Sequence, residues 1–170
     1  MNTLWFVVVL AMVALTDCAF AQPAEYRGPA RIVDGDTVEI GAVRLRFHGV
    51  DAPESRQTCR DAQGARYTCG RRSTEHLRAL IGGREVRCTD MGPAINNRRR
   101  ARCFAGSVDL QAAMARDGHA IAFLRHGADY VPQERAARAA RRGLWRGEFK
   151  QPAQVRRCRN QGQGTIASCS

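Results

Sequence analysis

The chain has 170 residues, and its 27 Lys and Arg against 16 Asp and Glu give a net charge of +11. Hydrophobic residues make up 44%, which supplies one domain with a core and excludes an intrinsically disordered polyelectrolyte. The positive balance favours a polyanionic partner: nucleic acid, anionic lipid or surface polymer.

Residues 1–21 have the layout of a secretion signal. The apolar run from Leu4 to Leu15 is too short to span a bilayer comfortably, and Ala19-Phe20-Ala21 supplies a small-x-small cleavage pattern. Cleavage would leave residues 22–170 and remove Asp17, taking the formal charge from +11 to +12. No later segment is apolar enough to span, so the expectation is an exported protein, in the periplasm or the medium, with no stable membrane association. Without Cys18 six cysteines remain, and an even count in an exported chain predicts a disulfide framework. Six cysteines allow many connectivities; the simplest pairs nearest neighbours, Cys59–Cys69, Cys88–Cys103 and Cys158–Cys169. No C-x-x-C pair is present, which argues against zinc.

Residues 22–30 are a lead-in. From Arg31 the hydrophobic period is two, the mark of strands. One strand ends at Ile32 and Val33, Asp34-Gly35 is a tight-turn signal, and Thr37 to Ile40 form a second strand. In a third, Val43, Leu45 and Phe47 alternate with Arg44, Arg46 and His48, which places apolar and basic side chains on opposite faces. Residues 55–69 are a polar loop, and a helix follows from about Arg71 to Ile81. Glu85 to Thr89 and Arg99 to Phe104 are two further strands. Asp109 can cap a helix running to about Asp117, and a third helix begins near Pro132 and ends at Gly143. Residues 22–150 form one domain and 151–170 a polar tail ordered by its cysteine pair. This order predicts a β-rich α+β fold, a five-stranded OB-type barrel with about three packed helices, with a split α+β sheet as the competitor.

Chemistry concentrates between Arg31 and Glu54. Asp34, Asp36, Asp51 and Glu54 offer hard oxygens or a base, and Arg44 and Arg46 offer cations. A site that binds a divalent metal beside a phosphate needs that mixture. VDGDTVEI followed by VRLRFHGVDAPE resembles the staphylococcal-nuclease-like (thermonuclease) family, whose signature is a D-G-D-T turn followed by an R-L-x-G-[IV]-D-x-P-E strand exit. DLQAAMARDGHA and Tyr130-x-x-x-Glu134 leading to Gly143-Leu144-Trp145 extend the similarity over most of residues 30–150.

The resemblance implies a Ca²⁺-dependent nuclease acting on DNA and RNA, single-stranded or flexible, that leaves a 3′-phosphate. It assigns Asp36 and Asp51 to the metal with the main-chain carbonyl of Ala52, and Asp34 to an acidic position behind them. It assigns Arg46 to the phosphate and Glu54 to the attacking water. The second phosphate cation falls on Arg98, where Asn96-Asn97-Arg98 stands in place of the family's Tyr-Gly-Arg, with Arg99 as its neighbour in contention. Arg44, Arg100 and Arg102 are expected on an exposed strand face, His48 on the surface, and Tyr130 and Trp145 in structural roles. His76, His119 and His126 lack metal-ligand spacing. The alternative is a catalytically weak or inactive OB-type module that binds nucleic acid, with Asn96-Asn97 as the feature that favours it.

Overall fold

The structure, a computed structural model, describes residues 23–93 and 98–170. The signal segment and Asn96-Asn97 fall outside the described residues. In chain order the strands and helices are β1 (Glu25–Gly28), β2 (Ala30–Asp34), β3 (Thr37–Ile40), β4 (Val43–Phe47), β5 (Val50–Asp51), β6 (Thr58–Arg60), β7 (Arg66–Thr68), α1 (Cys69–Ile81) and β8 (Val86–Asp90). Then come β9 (Arg99–Ala105), β10 (Val108–Asp109), α2 (Leu110–Arg116), β11 (Ile121–Ala122), α3 (Val131–Ala139) and α4 (Pro152–Asn160).

The main sheet runs β1-β8-β9-β4-β3-β2, with β10 also pairing to β9. All its pairs are antiparallel except β4 with β9, which run parallel. The β-rich α+β class therefore stands. In place of a closed five-stranded barrel the described residues form an open path of six strands with β10 attached to β9, and four α-helices replace three.

Each difference has a local cause. The lead-in forms β1 and takes the free edge of β8, from Glu25 opposite Thr89 to Gly28 opposite Val86. Its sequence, EYRG, has too little apolar alternation to announce a strand. The polar loop folds into the β6–β7 hairpin with Cys59 opposite Tyr67. The third helix stops at Ala139, and Gly143–Arg146 make a separate 3-10 turn. The tail contains α4, of which only Pro152 and Val155 are buried.

The core follows the alternation. Leu45 and Phe47 of β4 are fully buried with Val38, Val86, Leu77, Leu110 and Met114, while Arg44 and Arg46 lie on the opposite face. All three nearest-neighbour disulfides are present. Cys88 and Cys103 sit directly opposite each other in the β8–β9 register, at the centre of the sheet. Two glycines let α1 approach the acidic loops. A Cβ at Gly35 would lie 2.0 Å from Ser73 Oγ, and one at Gly70 would lie 1.8 Å from the Glu54 carbonyl oxygen. The helix thus packs directly behind both acidic segments.

Candidate active site

Asp36 occupies the turn between β2 and β3, and Asp51 ends β5. Both are buried, at 2% and 0% exposure. The Asp34 carboxylate accepts from the Asp36 N–H at 3.0 Å, which shapes the turn and presents the Asp36 side chain inward. There Asp36 accepts from Thr37 Oγ1 at 2.9 Å and from the Ala52 N–H at 2.9 Å. The second of these contacts joins the two acidic segments through the backbone.

Arg46 closes the arrangement. Its Nη2 lies 2.8 Å from Asp36 Oδ2 and 2.6 Å from Asp51 Oδ1, so both carboxylates converge on one nitrogen. Burial is the main force raising the pKa of Asp36, to about 6, with the Arg46 charge opposing it. Burial likewise raises Asp51, and the neighbouring Asp36 charge adds to the rise. Two desolvated carboxylates that repel each other lower their energy by sharing a cation.

Asp51 is held from behind. Its strand pairs with β11, Ile121 opposite Asp51, and the Ala122 N–H donates to Glu134 Oε2 at 2.7 Å. The glutamate of the Y-x-x-x-E pattern thereby fixes the strand against which Asp51 lies. Tyr130 of the same pattern is buried and structural: its hydroxyl accepts from Arg102 Nε at 3.0 Å and lies 3.3 Å from Asp109 Oδ2. Asp109 caps α2 through the Ala112 N–H at 2.9 Å. Trp145 sits at the edge of a smaller core with Ile121 and Leu144.

Glu54 leaves the sheet after Pro53. Its backbone N–H donates to Gln57 Oε1 at 3.2 Å, and Gln57, fully buried, donates to the Lys150 carbonyl at 2.7 Å. One glutamine therefore ties the Glu54 loop to the segment that leads into α4. That helix delivers an unforeseen residue. Arg156 donates to both oxygens of Asp51 at 2.9 Å and to Glu54 Oε1 at 2.8 Å. No motif announced it, and Asp51 is 105 residues away.

The arginine row is more finely divided than the alternation suggested. Arg44 is exposed and donates to Glu39 at 2.8 Å. Arg99 donates to Asp90 at 2.6 Å, away from the carboxylate pair. Arg98 is exposed immediately before β9. Arg100, expected on a plain exposed face, is half-buried opposite Arg46 in the parallel register. His126 lies within reach of both charges: burial is the main cause lowering its pKa, followed by Arg100, His48 and Arg46. The His48 and His126 rings stack at 5.3 Å. Parallel pairing of two strands more than 50 residues apart leaves no local signal, so these neighbours were illegible.

A groove of about 1230 Å³ runs from Asp51 between the α3 and α4 segments. Phe123, Trp145 and Phe149 line it with Arg125, Arg135 and Arg157. The chemistry of the carboxylate pair fits a hard divalent cation of the Ca²⁺ class. It offers two buried anionic oxygens that already converge on one positive atom. Among the described residues no three of His, Cys, Asp and Glu gather into a metal centre. Water, backbone and substrate oxygens would complete the shell.

Comparison with known proteins converges on one family. The family described as "Staphylococcal nuclease homologue" matches residues 44–147. The succinoglycan biosynthesis protein ExoI of Rhizobium meliloti (strain 1021) is 32% identical over 144 residues, covering 83% of this chain and 74% of that protein. An uncharacterized endonuclease of Escherichia coli O157:H7 is 30% identical over 122 residues, 68% of this chain and 73% of the other. A micrococcal nuclease of Shigella flexneri is 30% identical over 140 residues, covering 72% and 75%.

Proposed function

Because the chain belongs to the staphylococcal nuclease homologue family and is thereby a nuclease, we propose that it is an exported, Ca²⁺-dependent phosphodiesterase. It hydrolyses DNA and RNA with little sequence specificity. The supporting observation is the convergence of Asp36 and Asp51 on Arg46, with Glu54 joined to Asp51 through Arg156.

In this reading Asp36, Asp51 and the Ala52 carbonyl hold the cation, and Asp34 stabilises the turn that aims Asp36. When bound, the cation supplies Lewis-acid neutralisation of phosphate charge. Arg46 engages the phosphate. Both of its carboxylate contacts run through Nη2, which leaves Nε and Nη1 of the fork for phosphate oxygens. Arg98 is the second phosphate cation. It stands exposed immediately before β9, two residues from Arg100, which lies opposite Arg46. Glu54 orients a water molecule and accepts its proton as the water oxygen bonds to phosphorus. The bond from phosphorus to the 5′-oxygen then breaks, and the departing oxygen takes a proton from solvent water, leaving a 3′-phosphate and a 5′-hydroxyl.

Single-stranded or locally flexible nucleic acid suits the groove, where three aromatic side chains lie among arginines. Aromatic stacking and backbone charge carry no sequence code. Export is supported by three disulfides, which persist in oxidising compartments. No helix among the described residues is long and apolar enough to cross a membrane.

The test is cleavage of a fluorescent single-stranded DNA by purified chain in Ca²⁺ and in a chelator, with the product ends identified by mass. Cleavage in Ca²⁺ alone, with 3′-phosphate ends, is expected. Equal cleavage in both conditions would remove the Ca²⁺ reading, and 5′-phosphate ends would reverse the leaving group.

A further inference from the structure

The helix α4 lies beyond residues 44–147, the span matched to the family, and its Arg156 reaches the centre of the carboxylate cluster. Nη1 and Nη2 each sit 2.9 Å from one Asp51 oxygen, the bidentate fork that guanidinium makes with carboxylate. The same Nη1 is 2.8 Å from Glu54 Oε1. The Arg156 side chain is only 25% exposed, and that of Asp51 1%. Screening by water, which makes surface pairs weak, is therefore largely absent.

Four features hold the helix in this position. Val155, next to Arg156, is fully buried, and Pro152 in the first turn is buried. The Gln154 side chain accepts from the Gln151 N–H at 3.2 Å at the helix start. Gln57 fastens the preceding residue, Lys150, to the Glu54 loop at 2.7 Å. The Cys158–Cys169 bridge ties the far end to the chain terminus. Arg156 is thus a placed side chain whose backbone is anchored on both sides.

Asp51 has two oxygens, and Arg156 engages both while Arg46 shares one. A divalent ion that takes an oxygen of Asp51 must displace at least part of this fork. We propose that Arg156 is the internal counter-cation of the carboxylate cluster and competes with a divalent cation for Asp51, so that α4 sets the affinity with which the site loads. The inference rests on the reading of Asp51 as a metal carboxylate. It predicts that this chain binds Ca²⁺ more weakly than its own carboxylates would allow. It also gives the segment after residue 147 a function at the site.

Calorimetric Ca²⁺ titration of the purified chain tests this, with Arg156→Gln, Arg156→Lys and, as an exposed control on the same helix outside the groove, Arg159→Gln. Arg156→Gln should bind Ca²⁺ about tenfold tighter, equivalent to about 1.4 kcal/mol. Arg156→Lys, which keeps the charge but loses the fork, should fall between it and wild type. Arg159→Gln should match wild type. Folding of each form is checked by circular dichroism. If Arg156→Gln does not fold, Arg156→Lys decides. A folded Arg156 variant with unchanged or weaker Ca²⁺ affinity overturns the proposal, and so does an equal gain in Arg159→Gln. Absence of Ca²⁺ binding in every form also overturns it, whereas Ca²⁺-stimulated cleavage of single-stranded DNA by the same samples would leave the nuclease reading intact.

Discussion

Arg46 balances two buried carboxylates through a single nitrogen, so its removal has a structural cost. Arg46→Ala leaves Asp36 without its cationic partner, and breaking such a buried pair costs about 3 kcal/mol or more. Urea denaturation at neutral pH measures that loss, and Ca²⁺ should return part of it by supplying the missing charge. His119 gives a second prediction at this scale. Burial is the main cause lowering its pKa from 6.5 to about 4, and the stacked His76 ring at 4.0 Å adds to it. The unfolded chain takes up a proton near pH 6.5 that the folded chain refuses until about pH 4. Stability therefore falls as pH drops through that window, by at most about 3 kcal/mol from this group. In thermal melts from pH 7 to 4, His119→Gln should lose less stability than wild type; parallel pH curves would contradict this. The convergence of Asp36, Asp51 and Arg46, with Glu54 nearby, falls within one short acidic and basic stretch that could be singled out in the sequence. Arg100 and Arg156 could not, because one depends on strand register and the other on a helix over 100 residues away.

Elements were legible where apolar periodicity was dense. The strand β4 and helices α1 and α2 emerged because their buried residues recur at the right period, Leu45 and Phe47 in one case and Leu110 and Met114 in another. The strand β1, the β6–β7 hairpin and α4 did not. Each is held by edge pairing, a disulfide or capping, none of which leaves a hydrophobic pattern. The strand β11 shows how an element far from the chemistry can position it. Glu134→Ala removes the acceptor for the Ala122 N–H and loosens β11 against the Asp51 strand. The expected cost is about 1–3 kcal/mol, with cleavage reduced more than affinity for DNA. Gln57→Ala should weaken the link between Glu54 and α4. Hydrogen exchange should then rise in α4 while the main sheet stays protected.

For the whole molecule, charge and cross-links set the working conditions. A net charge of +11 makes phosphate binding dependent on ionic strength, so the KM for DNA should rise steeply with salt while kcat changes little. Cys88–Cys103 joins two central strands around a separation of 15 residues. Its double replacement by Ala should cost about 3 kcal/mol, read as a lower urea midpoint. The broad class was legible as β-rich α+β because strand and helix periods alternate in the chain. The openness of the sheet and the placement of the tail depend on long-range edges that period alone does not encode. If the Asp36–Asp51–Arg46 cluster with Glu54 cleaves phosphodiesters, the single-turnover cleavage rate of single-stranded DNA at saturating Ca²⁺ should fall about 10²-fold or more in Glu54→Gln relative to wild type, with the fold retained. Cleavage at the wild-type rate by the folded variant would remove Glu54 from the reaction.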